Sequence, residues 1–94
     1  MPESPRRADL RLTVPTAAPF AGVAGEVASR FAAYSGASES DADALRRAVD
    51  ATASRARGVS ADSITFDLLV EEQDLTVESE FAGRTERLSC PLSS

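Results

Sequence analysis

Apolar and polar residues alternate from Leu10 through Leu12 to Val14, with Arg11 and Thr13 between them. This is the period of a strand with one buried face, and Pro15 stops the run. From Ala17 the period changes. Phe20, Val23, Ala24, Val27, Phe31 and Tyr34 recur at spacings of three and four, which predicts a helix with those residues on its buried face. Pro19 sits in the first turn, where a missing N–H costs nothing, and Gly36 follows as a C-cap. Gly22 and Gly25 lower helix propensity, so they imply a close backbone approach. The sheet is the expected neighbour there, and a partner is the alternative. A second helix is predicted to open at Ser40, with Asp43 completing a weak capping box and Asp41 and Asp43 at the positive end of the dipole. Leu45, Ala48, Val49, Thr52, Ala53 and Ala56 give it a small-residue face. Arg55 and Arg57 suit its negative end, and Gly58 closes it.

The rest of the chain reads as strands. Ile64, Phe66, Leu68 and Val70 alternate with Thr65, Asp67 and Leu69, residues 71–74 turn the chain, and Leu75, Val77, Ser79 and Phe81 alternate with Thr76, Glu78 and Glu80. Ala82-Gly83 is a short turn signal before a last strand over 84–91, with Leu88 and Cys90 pointing one way. The order is β-α-α-β-β-β. Three hairpin-linked strands after two helices predict an α+β, two-layer sandwich, its helices on one face of a four-stranded, largely antiparallel sheet. The other face would carry Arg11, Asp67, Glu78, Glu80 and Arg87, with Leu69 its apolar exception. We expect it to be solvated, with a partner surface as the alternative. Residues 1–8 lack apolar periodicity and are expected to form a flexible tail to a single domain over 9–92.

Composition changes this picture in three ways. The 94 residues allow one core, and a hydrophobic fraction of 43% with only 5% aromatic residues makes that core thin and built of Ala, Val and Leu. A homodimer or a partner would supply part of the stability. The net charge of −5 argues against nucleic acid, whose binding needs a basic surface. No apolar run approaches the length of a membrane span and the N-terminus is polar, so the expected address is cytoplasmic. The lone cysteine, Cys90, fits a buried small hydrophobe better than a reactive thiol, because no His or Lys is present to lower its pKa.

Candidate chemistry is sparse. All ten basic residues are Arg, and the chain contains no His, Lys or Asn, so nucleophilic triads and most proton relays lack their usual members. Glu71, Glu72, Glu78 and Glu80 lie in a turn and on an open strand face rather than in a cleft that could raise one pKa. Metal-ligand spacings and phosphate-binding glycine loops are absent from the sequence.

Several strings nevertheless carry a resemblance. Leu10-Arg11-Leu12-Thr13-Val14-Pro15, Arg30-Phe31-Ala32-Ala33-Tyr34, Ser38-Glu39-Ser40-Asp41-Ala42-Asp43 and Leu45-Arg46-Arg47-Ala48-Val49-Asp50, with the strands that follow, resemble the histidine-kinase-like ATPase fold in its compact bacterial form, the anti-sigma-factor serine kinases. The likeness spans roughly residues 10 to 80. It implies a general-base Glu and a magnesium-ligating Asn on the second helix, where this chain has Ala51 and Arg55. It also implies an adenine-reading Asp before a glycine, where the chain has Phe81 and Gly83, and then a flexible lid, which is missing. Ala has no proton acceptor and a guanidinium cannot ligate a cation.

The resemblance therefore implies a dismantled ATP site: a non-catalytic, protein-binding regulatory module with no cofactor and no metal, its partner a sigma factor or an anti-sigma antagonist. A structural or dimerisation domain unrelated to sigma regulation and a divergent ATP-binding serine kinase are the alternatives. The thin core, the small residues of the first helix and an exposed sheet edge also allow a symmetric homodimer.

Overall fold

A computed structural model describes residues 9–92, so the expected tail over 1–8 lies outside the described residues. Strand β1 (Leu10–Pro15) leads through a 3-10 turn at Ala18–Phe20 into helix α1 (Val23–Ser35) and helix α2 (Glu39–Gly58). Strands β2 (Ser63–Glu71), β3 (Asp74–Phe81) and β4 (Arg84–Pro91) follow. The strands form one antiparallel sheet in the order β1-β2-β3-β4, and both helices cover one face of it. The expected α+β two-layer architecture is the one observed.

Alternation along the strands sets the layers. Ile64, Phe66, Leu68, Leu75, Val77, Phe81 and Cys90 are buried towards the helices. Arg11, Asp67, Glu78 and Arg87 share one row on the opposite face, through the pairings Arg11↔Asp67, Asp67↔Glu78 and Glu78↔Arg87. Within that row the Arg11 guanidinium donates to the Asp67 carboxylate at 2.7 Å and Arg87 pairs with Glu78. The row on the helix side that runs Leu12, Phe66, Ser79, Glu86 starts apolar and ends polar.

The helices depart from expectation in three places. First, α1 starts at Val23 rather than Ala17. Pro19 lies in the separate 3-10 turn, and Gly22, at φ +88°, makes the left-handed break between the two. Second, the buried face of α1 is Ala24, Gly25, Ala28 and Ala32. Phe31 is partly buried against the core, whereas Phe20, Val23 and Tyr34 are exposed, Tyr34 almost wholly at 91%.

The physical reason is that α1 lies close against α2, not against the sheet at Gly25. A Cβ built on Gly25 would collide with the Asp50 carboxylate and sit 3.0 Å from the Arg46 carbonyl oxygen. Only the small-residue face permits that approach, so the larger side chains rotate outwards. Third, α2 is capped two residues earlier than expected. The Asp41 N–H donates to the Ser38 hydroxyl at 3.1 Å, with Glu39 and Asp41 in the first turn.

Candidate functional site at the seam of α2 and β4

The four positions implied by the resemblance differ in setting: Phe81 is in the core, whereas Ala51, Arg55 and Gly83 are exposed. One turn beyond Ala51 along α2, the Arg55 guanidinium donates to the Glu86 carboxylate of β4 and, at 3.3 Å, to the Thr52 hydroxyl. Thr52 is fully buried and donates in turn to the Ala48 carbonyl at 3.1 Å. Ser79, also buried, donates to the Glu86 carbonyl at 3.4 Å. Phe81 is only 3% exposed and belongs to the core. Gly83, at φ +77°, follows Ala82 at φ +51° in a two-residue hairpin turn whose paired left-handed residues suit the twist of β3 and β4.

A polar seam of Thr52, Arg55, Ser79 and Glu86 therefore ties the C-terminal half of α2 to the sheet. Alternation puts Glu86 on the same face of β4 as Leu88 and Cys90, but only the seating of α2 beside β4, which the sequence does not display, brings Arg55 to it. Their side chains remain half-exposed and about a quarter exposed. Such a pair contributes at most about 1 kcal/mol, so it matters more for the space it occupies than for stability.

A second polar cluster, not anticipated from sequence, lies between α1 and α2. The Asp50 Oδ1 atom is shielded from solvent without a hydrogen-bond partner, and its Oδ2 lies 3.9 Å from Arg46 Nη1. Arg46 donates to Asp43 at 2.8 Å, and that hydrogen bond holds the Asp43 carboxyl below its ordinary pKa. Glu26 and Arg30 pair on α1 at 2.9 Å. The only sequence signal for this cluster is Gly25, in the first turn of α1.

Three grooves are formed by the described residues: an open one beside Gly22, Glu26, Arg46 and Asp50, another between Ala44, Ala48 and Leu88, and a third at Glu71, Asp74 and Thr76. None of these three includes Ala51, Arg55, Phe81 or Gly83. Cys90 is 2% exposed, and burial pushes its thiol pKa up, with Asp41 and Asp74 adding to the effect. Among the described residues no group of three or more His, Cys, Asp or Glu is placed to hold a metal ion, and no helix is long and apolar enough to cross a membrane. Comparison with protein-family models, with curated proteins and with solved structures finds no match for the chain.

Proposed function

We propose that the chain is a non-catalytic protein-binding regulatory module of the cytoplasm, similar in layout to an anti-sigma-factor kinase whose nucleotide site has been filled. The observation that carries this reading is the seam at Arg55. At the position where the resemblance implies a magnesium ligand, a cation is already neutralised by Glu86. Where it implies a carboxylate reading adenine, Phe81 is packed into the core. Phosphates entering here would have to displace the Glu86 carboxylate or lie against it, and like charges at short range repel.

Regulation would then act through surface contacts with a sigma factor or its antagonist, without phosphate transfer. The reading predicts that magnesium-ATP leaves the melting temperature unchanged. A ligand that binds only the native state must raise it, by about 2.7 kcal/mol of stability at a hundredfold excess over Kd. A saturable rise in a thermal-shift titration would end the proposal. Recovery of a sigma factor or an antagonist with the tagged chain from its native host supports it.

A further inference from the structure

We propose that the outer edge of β4, with the flank of α2 beside it, is the interface of a symmetric homodimer, its occupant a second copy of this chain. The inference does not depend on the nucleotide reading. It starts from hydrogen-bond parity. The Leu92 N–H donates to the Gln73 carbonyl at 2.8 Å, so in the alternating antiparallel ladder the even-numbered residues of β4 bond to β3. The backbone groups of Thr85, Arg87 and Ser89 point away from the sheet, and all three residues are exposed.

The opposite edge is less suited to pairing. β1 spans 6 residues against 8 for β4. Its Thr16 N–H donates to Asp62, which puts Pro15, without an N–H, among its outward-facing groups.

Symmetry then fixes the register, because an outward-facing ladder must pair odd residues with odd. An axis through Glu86 or Arg87 would oppose two like charges, and an axis through Ser89 would set Pro91 inside the ladder opposite Arg87. An axis through Leu88 places Arg87 opposite Ser89 of the second copy, joins Leu88 to its equivalent on the helix side, and leaves Pro91 at the ladder's ends.

The same axis suits α2. This helix runs antiparallel to β4: the Asp41 carbonyl accepts from the Cys90 thiol at 3.8 Å, and Arg55 pairs with Glu86. Ala48 falls midway and lines a groove with Ala44 and Leu88. Across the axis the last turn of each α2, with Arg55 and Arg57, faces the first turn of the other, with Glu39 and Asp41, and the two macrodipoles run antiparallel. The chain is thus complementary in charge to itself about this one axis.

Sedimentation equilibrium at high micromolar concentration should give twice the chain mass. Ser89→Pro removes an N–H that β3 does not use, and Ala48→Glu places two carboxylates at the axis. Each should return the mass to that of one chain with unchanged circular dichroism. In a Cys90→Ser background, Leu88→Cys should cross-link to its equivalent on mild oxidation, whereas Arg87→Cys should not. A monomeric wild type, a dimer that survives both Ser89→Pro and Ala48→Glu, or preferential cross-linking at position 87 would overturn the proposal.

Discussion

Gly25 and Asp50 show how one residue decides the seating of a helix. Gly→Ala in a helix ordinarily stabilises, by up to roughly 1 kcal/mol in the interior, and Gly25 lies in the first turn of α1. Here the added methyl meets the Asp50 carboxylate and, at 3.0 Å, the Arg46 carbonyl oxygen. A side chain can swing away, but the backbone carbonyl moves only if the two helices separate. Overpacking of that kind costs about 1–3 kcal/mol, so Gly25→Ala should destabilise by about 1 kcal/mol net, read as a lower urea midpoint. Asp50→Ala removes the nearer obstacle together with a shielded oxygen that has no partner. The cost of Gly25→Ala should therefore shrink markedly in the Asp50→Ala background. Strict additivity of the two substitutions would show that the contact does not set the helix spacing.

At the scale of elements, both β-hairpins are closed by two-residue turns containing a non-glycine residue in left-handed conformation, Glu72 at φ +53° and Ala82 at φ +51°. An L-residue there carries roughly 1–2 kcal/mol of strain. Ala82→Asn converts the second turn to Asn-Gly, which favours this geometry, and should stabilise by about 1 kcal/mol. For a domain of this size that raises Tm by about 4–8 °C, measurable by calorimetry, and an unchanged or lower Tm would refute it. The strands and turns were legible because a two-residue period and Ala82-Gly83 reflect local geometry alone. The helices were legible in existence but not in facing. Sequence periodicity assigned Phe20, Val23 and Tyr34 to the core because large apolar side chains usually mark it. Close packing of α1 on α2 instead selected Ala24, Gly25, Ala28 and Ala32, a choice made by the neighbouring helix. Ser38 and Ser40 are both capping residues by type, and the observed cap is Ser38, which accepts from the Asp41 N–H.

The molecule is a slab 16 Å thick and 38 by 37 Å across, with one face of its sheet uncovered by the described residues, and its thinness bears on whether side chains alone could create a nucleotide site. Position 51 is exposed and position 55 lies over the edge strand β4. Arg55 is paired with Glu86 and Thr52, Ser79 is bonded to the Glu86 carbonyl, and Thr52, Ser79 and Phe81 are buried. Replacing Ala51 with Glu and Arg55 with Asn returns the side chains the resemblance implies without opening a cavity. It also leaves the Glu86 carboxylate, 28% exposed, without its cation at the place where phosphates would arrive. The double variant Ala51→Glu, Arg55→Asn should accordingly bind magnesium-ATP no better than the wild type in calorimetric titration, while staying folded, because the pair it removes is worth at most about 1 kcal/mol. Saturable binding by the double variant alone would mean that a pocket persists and that only two side chains separate this chain from a nucleotide-binding protein. Continued absence of binding places the difference in the architecture, where Phe81 faces inwards and a two-residue turn joins β3 directly to β4.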